Sequence, residues 1–152
     1  LVLTALVTVT ACQKAPQAHP GSAPIADQGE NRSAESERAK FQGRWKQLSV
    51  ELDGKQIAPE LIRNCFLVYE GENFRNDLNG QSKANGSFML DPTKTPARID
   101  HVESPTVTLY GIYRFDGDTL TLCFNGRYRP SSFESQARSG NLLLVLDRDP
   151  AR

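Results

Sequence analysis

The stretch VTLYGIYRFDGDTLTLCF, residues 107–124, reads as two strands joined by a tight turn. Asp116-Gly117 lies between two runs rich in Val, Leu, Ile, Tyr and Phe. An Asp-Gly pair in that setting is a strong hairpin signal, because both turn positions need positive φ. In the second run Leu120, Leu122 and Phe124 share one parity, and Thr119, Thr121 and Cys123 the other. A period of two marks a strand with unlike faces.

The same punctuation continues on both sides. Asp53-Gly54, Glu70-Gly71, Asn79-Gly80, Asn125-Gly126 and Ser139-Gly140 separate further short apolar runs. The expected strands are Gly43–Leu52, Cys65–Tyr69, Phe74–Leu78, Gly86–Leu90, Arg98–Val102, Val107–Phe115, Thr119–Phe124 and Leu142–Arg148. The apolar run Leu142–Leu146 is unbroken, as in a strand covered on both faces or one closing a barrel. Pro59–Arg63 is the single helical candidate inside this region, with proline in its first turn. Sequential hairpins with little helix predict an all-β fold, a small antiparallel up-and-down barrel of about eight strands, since closure removes exposed sheet edges.

The chain before residue 41 has a different character. Leu1–Ala11 is apolar or small and carries no charge. It is too short to span a bilayer, which takes about 20 apolar residues, and has the length of a signal-peptide core. Val9-Thr10-Ala11-Cys12 resembles the lipobox of bacterial lipoproteins, which implies cleavage before Cys12 and its lipidation. Gln13–Arg38 contains three prolines, one large aliphatic residue and no aromatic, too little apolar area to offset its ordering entropy. The expected organisation is a signal segment over residues 1–11, a lipidated cysteine and flexible tether over 12–40, and a barrel over 41–149. Ser33–Lys40 is expected to add a helical turn or two against one end of the barrel.

Composition narrows the function classes. Eighteen basic and eighteen acidic side chains balance. With no basic excess to displace counterions, nucleic-acid binding is not expected. No His/Cys cluster has zinc spacing and no nucleophile motif is present, so neither a cofactor nor catalysis is expected. His101, beside Asp100, reads as a strand-end residue, and Asp116-Gly117-Asp118 as hairpin chemistry rather than a calcium loop.

Cys65 and Cys123 remain once Cys12 is assigned to lipid. They are either a disulfide, as an exported chain permits, or two buried thiols. Among the aromatics, Tyr69, Phe74, Phe88, Tyr113 and Phe124 are candidates to line the barrel interior, around a small ligand or simply filling the space. Arg127, Arg129 and Arg138 with Tyr128 form a basic, aromatic loop region.

Phe41-Gln42-Gly43-Arg44-Trp45 carries a Gly-x-Trp opening that resembles that of lipocalins and other calycins. Further along stand Glu51-x-Asp53-Gly54-Lys55, Asp91-Pro92-x-Lys94-x-Pro96-x-x-Ile99-Asp100, Gly111-Ile112-Tyr113, Asp116-Gly117-Asp118-x-Leu120, Cys123 and Arg129-Pro130-x-x-Phe133. In this order they resemble a lipocalin-like domain family abundant in Planctomycetes. The resemblance implies that Trp45 lies at the closed end of a barrel beneath Arg148 of the last strand, with Gly43 completing the signature. It also implies export, and carries no established biochemical role. The expectation is a monomeric, non-enzymatic module, anchored in the cell envelope through its lipid alone, that binds a small apolar ligand. The alternative is a filled barrel with a structural or protein-interaction role.

Overall fold

The computed structural model describes residues 25–150, with side-chain surroundings from residue 33 onward. Eight strands form a closed antiparallel barrel: β1 (Gly43–Leu52), β3 (Cys65–Glu70), β4 (Asn73–Leu78), β5 (Gln81–Asp91), β6 (Ala97–Ser104), β7 (Val107–Asp116), β8 (Thr119–Asn125) and β9 (Leu142–Arg148). Each pairs with the next, and β9 returns to β1 from Trp45↔Arg148 to Leu52↔Leu142. A two-residue strand, β2 (Lys55–Gln56), folds back on the end of β1. The all-β barrel expected from the hairpin pattern is the observed architecture.

Turn chemistry sets the register. Asn79 and Gly80 both have positive φ, 53° and 78°, and join β4 to β5 with Leu78↔Gln81 as the first pair. That geometry follows the twist of the flanking strands. Strand β5 begins five residues before the expected Gly86, because Gln81–Asn85 pairs with β4 although it has no apolar face to announce it.

Two helices accompany the barrel. α2 (Pro59–Ile62) lies between β2 and β3, with proline in its first turn and Ile62 buried. α1 (Ile25–Phe41) is longer than the turn or two expected before the barrel. The helix formers Ala34, Glu35, Glu37, Arg38 and Lys40 favour it locally. Its end is held by tertiary contacts that composition does not reveal. Phe41 is fully buried in the barrel, Tyr113 Oη donates to Glu37 at 3.2 Å, and Arg38 pairs with Glu72 at 3.2 Å. Residues 25–40 of the expected flexible tether are thus helical, while its residues 12–24 and the expected signal segment lie outside the described residues.

Inward-facing residues of every barrel strand meet in one core around Trp45, Leu67, Tyr69, Phe88, Ile99, Leu120, Leu122 and Leu146. A bulge between Gln47 and Ser49 changes the parity of β1. Trp45 and Gln47 are buried before it and Val50 after it, while Leu48 is left half exposed. Strand β8 is buried on both faces. The β8–β9 connection folds back over its outer side, where Cys123 Sγ contacts Glu134 O at 3.7 Å and the Arg114 guanidinium lies 4.6 Å from the Phe133 ring.

Candidate functional site

One end of the barrel is sealed. Trp45 is fully buried and donates through Nε1 to Phe41 O at 2.7 Å. The Arg148 guanidinium lies 4.3 Å from the Trp45 ring and donates to Gln42 O at 3.0 Å and Lys40 O at 2.7 Å. One side chain thus covers the indole face and satisfies carbonyls at the end of α1, which lack intrahelical partners. Gly43, at φ 109°, occupies a conformation that L side chains rarely adopt and starts the strand directly beside Arg148.

Phe41 enters this end as a plug. Its ring lies 5.1 Å from Tyr69, 5.7 Å from Phe88 and 5.0 Å from both Tyr113 and Phe115. Of the two alternatives for Tyr69, Phe88 and Tyr113, around a ligand or simply filling the barrel, these three residues fill the interior. The end of α1 occupies the room they enclose, and edge-to-face aromatic packing fills that half of the interior. Burial, with the Glu37 carboxylate adding to it, holds the Tyr113 hydroxyl above its ordinary pKa.

The other half is not filled. A cavity of about 160 Å³ is lined by Val50, Leu67, Phe74, Ala84, Leu109 and Phe124, with Leu142 and Leu144 from β9. Four polar side chains join this wall: Gln47, Asn76, His101 and Glu103. Phe74 and Phe124, both expected at the interior, are the two aromatic walls. Phe124 can lie there because the facing residue is Gly111; a Cβ at that position would stand 2.5 Å from Cδ1 of the Phe124 ring.

His101 is the polar centre of the site, and it is not the strand-end residue expected. It sits within β6, 3% exposed, with its ring stacked on Phe74 at 3.8 Å and tilted against Phe124 at 4.5 Å. Its Nε2 lies 3.0 Å from Tyr69 Oη. Burial lowers its pKa from the ordinary 6.5 to about 3, so it is neutral, and the same burial holds the Tyr69 phenol protonated. The available signal was parity: Ile99 and His101 alternate with Asp100, which faces outward. There the Asp100 carboxylate meets Arg129 at 2.6 and 3.0 Å, while Arg129 also donates to Gly111 O at 2.6 Å. Arg129 thus fastens the β8–β9 connection to the barrel wall. Gln47 adds a second interior polar contact, donating to Asn76 Oδ1 at 3.0 Å.

The two cysteines are free and buried, so the disulfide alternative is corrected. Cys65 shares its parity with Leu67 and Tyr69 and belongs to the interior core, whereas Cys123 shares its parity with Thr121 and faces the covering loop. They stand on opposite faces of the wall, which no bridge can join. Burial raises the pKa of both thiols. Arg127, Tyr128 and Arg138 lie around a surface groove at the start and end of that loop, apart from the interior cavity. Cys12 lies outside the described residues. No protein-family model, curated protein or solved structure matches the chain.

Proposed function

We propose that this chain is an envelope-anchored barrel, lipocalin-like in design, whose interior binds one small, mainly apolar molecule. The observation that carries the reading is the asymmetric interior: one half packed by aromatic rings, the other a cavity with apolar walls and a few converging polar groups. Small-molecule sites have this character. At about 160 Å³ the cavity is smaller than the roughly 300–1,000 Å³ of drug-sized pockets. It suits a ligand near the size of a single ring, since an apolar cavity of about 150 Å³ can take up benzene. Long acyl chains do not fit it.

Binding is favoured over catalysis by the cavity wall itself, which holds no serine, threonine, cysteine or lysine beside His101. Envelope anchoring rests on Val9-Thr10-Ala11-Cys12 and on the Pro- and Ala-containing segment after it. The test is native mass spectrometry of the gently purified protein. A small co-purifying mass, lost when the cavity is filled by Ala84→Leu, is the expected result. A barrel isolated repeatedly without any adduct, and unresponsive to single-ring compounds, would favour the alternative of an interaction module that presents its loops. Incorporation of labelled fatty acid, abolished by Cys12→Ala, tests the anchor separately.

A further inference from the structure

We propose that the cavity selects an uncharged, flat ring compound carrying an exposed hydrogen-bond acceptor, such as a ring ketone or lactam, and that Nδ1–H of His101 is the group that reads it. This inference rests on the binding reading above and adds the chemistry of the ligand.

The argument begins with a proton count. Tyr69 is fully buried, and among the described residues its hydroxyl has one partner, His101 Nε2. If Nε2 carried the imidazole proton, it would donate to the phenol oxygen and leave the phenolic proton with no acceptor. Each tautomer leaves one spare donor, but a spare Tyr69 O–H would be sealed in the core, where an unpaired donor is costly, whereas a spare Nδ1–H belongs to a side chain that lines the cavity, where water or a ligand can accept it. Tyr69 therefore donates, Nε2 accepts, and the single proton of the neutral imidazole resides on Nδ1. Among the described residues Nδ1 has no hydrogen-bond partner, although the side chain is 3% exposed and lines the cavity.

The neighbouring polar atoms reinforce this preference. Gln47 Nε2 is taken up by Asn76 Oδ1, which leaves the Asn76 amide N–H groups as further donors and Gln47 Oε1 as one acceptor. Donors at His101 and Asn76 thus stand in the inner wall beside the Gln47 Oε1 acceptor, with the Glu103 carboxylate as a further acceptor at the rim. Glu103, exposed at the rim, adds a negative charge that disfavours an anion. Phe74 and Phe124 pack on the imidazole at 3.8 and 4.5 Å, so the polar group stands among aromatic walls against which a ring compound can pack. A ligand without an acceptor would displace water from Nδ1–H and give nothing in return, and sites built around a buried polar group discriminate on that basis.

The experiment uses three probes of nearly equal shape: acetophenone, α-methylstyrene, which replaces its C=O by C=CH2, and benzoate. Binding to the full chain is followed by NMR titration of the cavity residues. Acetophenone is expected to bind about three- to tenfold more tightly than α-methylstyrene, the worth of one neutral hydrogen bond. In Tyr69→Phe/His101→Phe, which removes both polar partners and keeps both rings, that preference should vanish. Should the double variant fail to fold, the nitrogen-15 shifts of His101 in the wild-type protein decide: an N–H at Nε2 overturns the inference. Equal affinity for the two neutral probes, a preference that survives in the double variant, or benzoate binding as tightly as acetophenone would also overturn it, leaving the binding reading intact. If none of the probes moves the cavity resonances, the binding reading falls and takes this inference with it.

Discussion

Replacing Arg148 by methionine tests the sealed end of the barrel. Methionine keeps most of the aliphatic stem that packs on Trp45 and deletes the guanidinium. Four contacts are lost: the cation over the indole at 4.3 Å, charged hydrogen bonds to Gln42 O at 3.0 Å and Lys40 O at 2.7 Å, and a long, exposed ion pair with Asp118 at 3.9 Å that adds little. The first contributes about 0.5–2 kcal/mol. The hydrogen bonds, worth about 1.5–3 kcal/mol each where fully enclosed, count for much less because the Arg148 side chain is 37% exposed and water can reach it. The expected destabilisation is therefore about 2–3 kcal/mol. Trp45 is the single tryptophan, so its fluorescence reports unfolding in urea from this very site. Arg148→Lys should fall between wild type and methionine, since an ammonium keeps the charge without the planar fork that reaches two carbonyls at once. Amide exchange in the last turn of α1 should quicken in parallel. A loss below about 0.5 kcal/mol for Arg148→Met would refute the role given to this contact.

Other perturbations probe the interior. Gly111→Ala places a Cβ 2.5 Å from the Phe124 ring, which must swing into the cavity; a loss of about 1–3 kcal/mol in urea and weaker ring-probe binding are expected. Ala84→Leu should abolish probe binding while leaving stability equal or higher by up to about 2 kcal/mol, because added methylenes enter unfilled space. His101 takes up a proton on unfolding, since its folded pKa of about 3 lies below the ordinary 6.5. Its contribution is complete above about pH 6.5 and declines as pH falls toward 3, by about 3 kcal/mol between pH 7 and pH 4. Tyr69→Phe/His101→Phe should flatten that part of the pH profile, as urea midpoints at the two pH values will show. In a Cys12→Ser chain without reductant, Cys65 and Cys123 should resist a thiol reagent when folded and both react in denaturant; a single or absent reactive thiol would contradict their separation across the wall.

Much of this architecture was legible because turns and alternation are local. Asn79-Gly80 and Asp116-Gly117 need only neighbouring residues to fix a hairpin, and all eight expected barrel strands are present. The pairing of Trp45 with Arg148 was accessible through a resemblance to known barrels, and the two residues are register partners. What escaped was set by distant contacts. The length of α1 depends on a socket for Phe41 built from Tyr69, Phe88, Tyr113 and Phe115, four positions on three strands. Parity alone would have put His101 inside beside Ile99, and would have set Cys65 and Cys123 on opposite faces. The bulge in β1 shows the limit of parity: without it, Gln47 and Val50 could not both face inward.

The position of the cavity follows from a gradient of side-chain size along the barrel axis. Near the start of β1 the interior receives Trp45, Tyr69, Phe88, Tyr113 and Phe115, and Phe41 is added from α1. Toward the end of β1 the rings of Phe74, His101 and Phe124 form part of the wall, but the other inward positions include Val50, Ala84, Leu109, Leu142 and Leu144, and among the described residues no ring enters from outside the strands. Eight strands enclose a space that side chains can just fill, so the large set fills its half and the small set does not. A random shortfall of volume would be expected to have hydrocarbon walls alone, because an unpaired buried polar group is costly. Here Gln47, Asn76 and His101 converge on the unfilled half, each with a hydrogen-bonding atom left over by its protein partner. Residues that add polarity where packing is already incomplete lower stability twice, and that combination is what supports the proposal that the cavity binds a ligand.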